Sequence, residues 1–374
     1  MTSKVYYADL RAEGKEENLL CKLEKLTARI SFLKELKKEE LVAVKLHFGE
    51  PGGTAFIRPL YLQPLVQQIK QEGARPFLTD ANTLYRGQRS NAVDHIETAL
   101  RHGFSYPMVE APVVIADGLT GRDYYEEEVD FKHFKGVKIP AAIYHCQAML
   151  VVTHLTGHPL TGFGGALKNV GMGLGPRSSK QMQHAELEPE VDDQECILCG
   201  ECIKWCPEEA ISMPEGEERV FISQEDCIGC GECVTTCPQG AINDTSSSSK
   251  SLQEKIVEST AGILQRIENT GYITFVMDVT PYCDCPPWSD ASIVPSLGIL
   301  ASDDPVACDQ AAVDLINSSQ PLKESMLEGK DPEQDIFRSL FPEIDWEIQL
   351  DYAQQLGLGS RDYRLLDLDG QELS

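Results

Sequence analysis

Positive charge is scarce in this sequence: 33 Lys and Arg stand against 59 Asp and Glu, a formal net charge of −26. That balance argues against nucleic acid and anionic membranes as partners, because both would repel the chain. Long apolar runs are missing as well. The most apolar stretch, Ala141 to Thr153, is broken by His145, Cys146 and Gln147, short of the roughly 20 uninterrupted apolar residues that span a bilayer. The opening MTSKVYYADL has neither the basic n-region nor the apolar h-region of an export signal and reads as a first strand. A soluble, cytoplasmic protein without membrane insertion is expected. With no Gly-x-Ser-x-Gly elbow and no His-Glu-x-x-His, a Ser-His-Asp or general acid-base hydrolase finds no support.

Cysteine, by contrast, is plentiful. Of thirteen cysteines, eight fall into two Cys-x2-Cys-x2-Cys-x3-Cys-Pro runs, Cys196 to Pro207 and Cys227 to Pro238. Without an export signal, reduced thiolates are a better reading than disulfides. The runs repeat with a period of 31 residues, ECILCGECIKWCPEEAI over DCIGCGECVTTCPQGAI, as in a duplicated bacterial-ferredoxin-type module. In such modules three cysteines of one run wrap a 4Fe-4S cluster and the fourth ligates the other cluster. The expected sets are Cys196, Cys199, Cys202 and Cys237 on one cluster, and Cys227, Cys230, Cys233 and Cys206 on the other. A pair of zinc sites is the alternative, since Cys-x2-Cys also suits zinc, but two identical proline-closed runs favour two 4Fe-4S clusters. From Glu186 to Asp244 sixteen acidic residues face only Lys204 and Arg219. Such a surface favours a redox partner with a basic docking patch and salt-sensitive association.

Around this module the pattern is α/β. Leu41 to Phe48, Pro76 to Asp80, Val113 to Ala116 and Met149 to Thr153 read as strands, and Pro59 to Glu72, Ala92 to His102 and Pro140 to Gln147 as helices. Alternation of this kind predicts a mostly parallel sheet with crossover helices. The pattern resumes after the module, with helices at Leu252 to Glu268 and Pro305 to Asn317 and strands at Tyr272 to Val279 and Leu297 to Ala301. The simplest organisation is a discontinuous α/β core of residues 1–185 and 250–374, interrupted by an inserted α+β ferredoxin-like module at 186–246. A Ser-rich linker at 246–251 favours flexible coil. An independent C-terminal domain is the alternative, and nothing in the sequence sets the oligomeric state.

Outside the module, Cys21, Cys146 and Cys308 read as core packing. Cys283 and Cys285, in DVTPYCDCPPWSD just past a predicted strand, sit where open α/β sheets gather catalytic groups. Two apart on extended chain, both thiols would face one cavity and Asp284 would point away. A metal or cluster site, a redox-active thiol pair and a structural loop all remain open there. His47, Asp80, Asn82, His154 and His158 end other strands. Cys283, Cys285, His47, His154 and His158 thus form a candidate additional metal site of soft ligands. Gly162, Gly164 and Gly165 precede a helix near Lys168, Arg177 and Lys180, a possible cradle for a phosphate-containing cofactor, although close packing explains the glycines equally well.

Five stretches together resemble one family: KLHFGE from Lys45, TDANTLYRGQRSNAVDH from Thr79, IADGLTGRD from Ile115, THLTGHPLTGFGGALKNVGMG from Thr153 and DVTPYCDCPPWSDASIVPSLGILASDDPVACDQ from Asp278. They resemble the Fe-S-center proteins of the domain of unknown function 362 family, which often carries an inserted ferredoxin domain. The resemblance implies an α/β core with a ferredoxin insertion and supplies no reaction. Three functions follow from these readings. The first is an oxidoreductase component whose clusters pass electrons between a docked partner and the α/β cleft. The second is a metallocofactor assembly or delivery protein, and the third a plain ferredoxin-like carrier on a structural scaffold.

Overall fold

The computed structural model describes residues 2–373, apart from 86, 185–188, 207, 215, 217–218, 228–231, 245–247 and 331–334. Eight strands form the main sheet: β1 (Ser3–Asp9), β2 (Leu41–Lys45), β3 (Arg75–Asp80), β4 (Val113–Ile115), β5 (Ala148–His154), β6 (Asn269–Val276), β7 (Gly298–Ser302) and β8 (Tyr363–Leu366). Their order is β8-β1-β7-β6-β5-β2-β3-β4. Only the two pairings of β7, with β1 and β6, are antiparallel; the other five are parallel. The expected mostly parallel α/β sheet is therefore the architecture.

Successive residues of β5 belong to opposite faces, as a pleated strand buried on both sides requires. Leu150 and Val152 join one apolar core with helices α1 (Leu19–Thr27), α2 (Leu62–Gln71) and α3 (Ala92–Arg101). Met149 and Val151 join the other, which α4 (Ala166–Gly171) and three helices later in the chain cover. A further helix, α5 (Arg177–His184), follows α4. The cysteine segment contributes two short helices, α6 (Glu201–Trp205) and α7 (Glu232–Thr236). Then come α8 (Ser248–Gln265), α9 (Pro305–Asn317) and α10 (Glu347–Gln355). Because β5 and β6 are neighbours in register, the sheet draws strands from both sides of the cysteine segment.

Two local expectations change. Ser248 to Ser251 are the first turn of α8 rather than flexible linker; Leu252, Ile256 and Val257 bury their side chains, and that packing outweighs the modest helix propensity of serine. Residues 246–247 lie outside the described residues. Pro140 ends a hairpin of Tyr124–Glu128 with Gly136–Pro140, so only Ala141–Tyr144 of the predicted helix forms. The first strand is flanked by the last, β8, a pairing without local signal.

Candidate functional site

Strands β2 to β6 run the same way, so their carboxyl ends meet at one edge, where ligand crevices of such sheets form. A cavity of about 1040 Å³, counted out to its mouth, opens there. Its wall includes His47, Asp80, Arg89, His154, His158, Lys168, Lys180, His184, Cys283, Asp284 and Cys285.

The floor is a buried charge network. Lys45 Nζ, wholly buried, lies 3.0 Å from Asp80 Oδ1 and donates to Asn169 Oδ1 at 2.6 Å. Arg89 donates to Glu50 Oε2 at 2.8 Å, approaches Asp80 Oδ2 at 3.4 Å and hydrogen-bonds Tyr85 Oη. Burial alone would raise the Asp80 carboxyl, but Lys45, His47, His95 and Arg89 outweigh it and hold the group at about 2. For Lys45 the balance runs the other way, and burial lowers its ammonium despite Asp80. Lys180, lowered by burial to about 8, donates to the carbonyls of Asn82, Gly173 and Gly175. Asp117 receives the backbone and side-chain N–H groups of Asn82.

Above this floor sits the thiol pair. The Gly49 N–H donates to His47 Nδ1 at 3.0 Å, which leaves Nε2 to bear the proton, 3.5 Å from Cys285 Sγ. The Cys283 thiol hydrogen-bonds the Cys285 sulfur; with His47 and Arg89 this holds Cys285 well below the usual thiol range despite burial, and raises Cys283. Tyr85 Oη donates to the Cys285 carbonyl at 3.3 Å. The loop is clamped from both sides. A Cβ on Gly52, at φ +103°, would lie 2.2 Å from the Pro287 carbonyl oxygen, and one on Gly157 2.3 Å from that of Pro281, so only glycine allows this approach.

Both thiols line the cavity, as their spacing predicts, but Asp284 does too. The proline-rich loop bends instead of running extended, and Asp284 Oδ2 sits 2.8 Å from His154 Nδ1. His154 Nε2 lies 2.9 Å from the Met277 carbonyl. The Asp284 charge and these bonds raise the His154 imidazole against the effect of burial, and both ring nitrogens have hydrogen-bond partners. His158 Nδ1 accepts the Leu160 N–H, and burial keeps that ring neutral. Among the described residues no three His, Cys, Asp or Glu side chains converge on a single-ion site. The candidate set Cys283, Cys285, His47, His154 and His158 thus shares one cavity without closing on one point.

The phosphate cradle is also replaced. Asp309 accepts the N–H groups of Ala166 and Leu167 at 2.7 and 3.1 Å, occupying the start of α4, and a Cβ on Gly165 would meet its carboxylate at 2.4 Å. Close packing is the reason for that glycine. Among the nearby cations, Lys168 lines the cavity whereas Arg177 donates to the Leu84 carbonyl. Cys146 and Cys308 are buried, and burial raises Cys146 to about 12; Cys21 is only half-buried on α1.

In the cysteine segment, Cys196, Cys199, Cys202 and Cys237 line one small cavity. Of the second set, Cys206 and Cys233 are buried and Cys227 half-buried; Cys230 lies outside the described residues. This segment abuts the large cavity. Trp205 packs edge-on against Tyr85 with ring centroids 5.5 Å apart, and a Cβ placed on Gly240 would lie 3.8 Å from Tyr282 Oη. Leu252 and Met172 line the large cavity and pack against the core of the segment.

Sequence reading missed Arg89, Glu50, His184, Asn169 and Asp309. Lys45 did leave a signal, as the one charge inside the run LVAVKLHF.

No curated protein matches this chain. Among solved structures, the lactate racemase apoprotein from Thermoanaerobacterium thermosaccharolyticum is similar at 10% identity with a TM-score of 0.41, over 85% of this chain and 63% of that one. A protein from Thermotoga maritima is similar at 12% identity with a TM-score of 0.40, over 81% of this chain and 60% of that one. The chain thus spans less than two thirds of either. The family model described as DUF362, domain of unknown function, matches residues 42–314, well over half of the sequence, and the chain belongs to that family.

Proposed function

We propose that this chain is an iron-sulfur protein with two 4Fe-4S clusters, acting in electron transfer as an oxidoreductase component whose reaction site is the α/β cavity. The observation that supports it most is the grouping of Cys196, Cys199, Cys202 and Cys237 around one cavity, three from the first run and one from the second, the crossed pattern of a two-cluster ferredoxin-type module. The donor set fits the group: thiolates spread around a cavity suit a cubane, whose iron atoms are spaced apart, better than a single ion. Cys196, Cys199, Cys202 and Cys237 would hold one cluster and Cys206, Cys227, Cys230 and Cys233 the other. When bound, such clusters supply single electrons at potentials set by their hydrogen bonds and exposure.

What the chain itself does is position and insulate. Trp205 of the cysteine segment packs against Tyr85 of the cavity wall, and Leu252 and Met172 line the cavity while packing against the core of the segment. The acidic surface of the segment favours a partner with a basic docking patch. The test is iron and acid-labile sulfide per chain after anaerobic purification. About eight of each is expected, unchanged in a Cys283→Ala/Cys285→Ala variant. Zinc without sulfide would overturn the reading.

A further inference from the structure

The thiol pair has more contacts than packing requires. Cys283 and Cys285 are each half-buried at the wall of a cavity open to solvent. Both line that cavity, His47 Nε2 lies 3.5 Å from Cys285 Sγ, and Tyr85 donates to the Cys285 carbonyl. Glycine clamps and three prolines hold the loop that carries both thiols. In the same cavity Lys168 has no hydrogen-bond or ion-pair partner among the described residues, and the buried His184 Nδ1 has none either. Structural cysteines in a core, such as Cys146 and Cys308, have no such access.

We propose that Cys283 and Cys285 are a redox-active dithiol that exchanges with a small, negatively charged disulfide seated in the cavity. Cys285, as thiolate, attacks one sulfur of the disulfide; that S–S bond breaks, a mixed disulfide forms on Cys285, and one thiolate leaves. Cys283 then gives up its proton and attacks the Cys285 sulfur, closing the 283–285 bond and releasing the second thiol. The substrate disulfide is reduced by two electrons, the pair is oxidised by two, and atoms balance without another reactant. Lys168 supplies the positive charge for a carboxylate of the substrate. The inference rests on the cavity being the reaction site, but not on the clusters.

The test uses the full, anaerobically purified chain with oxidised glutathione as probe. Two glutathione thiols released per chain are expected, with peptide mapping showing residues 283 and 285 joined and lacking two hydrogens. Cys283→Ser halves the release and leaves glutathione on Cys285; Cys285→Ser abolishes release from this loop. If wild type keeps both thiols free to alkylation, or holds a lasting mixed disulfide with no second release, the proposal is wrong. Iron and sulfide counts on the same sample judge the cluster reading separately.

Discussion

The small cavity of the cysteine segment takes its four thiols from residues 196 to 237, three of them in one loop and helix start. The large cavity draws on the ends of β2, β3 and β5 and on the loop after β6, from His47 to Cys285. The first is specified by spacing within a short stretch, and its thiols need little support from the rest of the molecule. The second exists only when the sheet is complete, and its buried charges hold one another in place. Damage to a thiol of the first should therefore cost a cofactor and spare the core, whereas damage to a charge of the second should cost the core.

The most severe expected change separates the two cysteine sets. Cys202→Ala and Cys237→Ala should each remove the same half of the iron and sulfide, and Cys206→Ala the other half, read by metal analysis and by the spectrum of the remaining cluster. If Cys237→Ala and Cys206→Ala affect one and the same cluster, the crossed pairing is wrong. Next comes Asp80→Asn, which leaves Lys45 and Arg89 in the dry interior without their shared carboxylate. Removing one partner of a buried charge network costs about 3–5 kcal/mol, and urea unfolding should report it while iron content per folded chain stays constant.

Asp309→Asn probes the same core through pH. Burial raises the Asp309 carboxyl to about 7, against its bonds from Ala166 and Leu167. The unfolded chain loses this proton near pH 4 and the folded chain near pH 7, so wild-type stability should fall across that interval as pH rises. The variant should lose this slope, and near pH 5 it should be less stable by roughly 1–3 kcal/mol through imperfect pairing of two buried N–H groups. A slope identical to wild type would remove Asp309 from the account. The smallest effect is expected at the seam between the regions: Trp205→Leu gives up the edge contact with Tyr85, about 1 kcal/mol, visible as faster amide exchange in α6 with both regions otherwise intact.

How much of this could be read from sequence follows the same division. The cysteine runs were legible because their information is local, and α9 was readable to the residue, Pro305 to Asn317, since Asp304 caps it and Pro305 opens it. The buried strands were legible as apolar runs. Arg89, Glu50 and Asp309 were not, because a buried charge declares itself only through a partner from elsewhere in the chain, as in the contact of Asp309 with Ala166. Asp284 was placed on the wrong side by assuming extended chain where prolines impose bends. The serines at 248–251 read as linker because their composition is polar, while their fold is set by the apolar residues that follow.

The two ends of the cysteine segment lie side by side, for Pro189–Val191 pairs antiparallel with Ile242–Asp244. Directly paired residues in such a ladder are only about 5 Å apart. A gene could therefore gain or lose the stretch between them as a cassette, rejoining the chain across a gap that a short turn closes. Relatives with and without the cysteine runs would then share one sheet and one cavity, and a shortened chain made by joining Glu190 to Asn243 through a two-residue turn would show what that cavity does by itself.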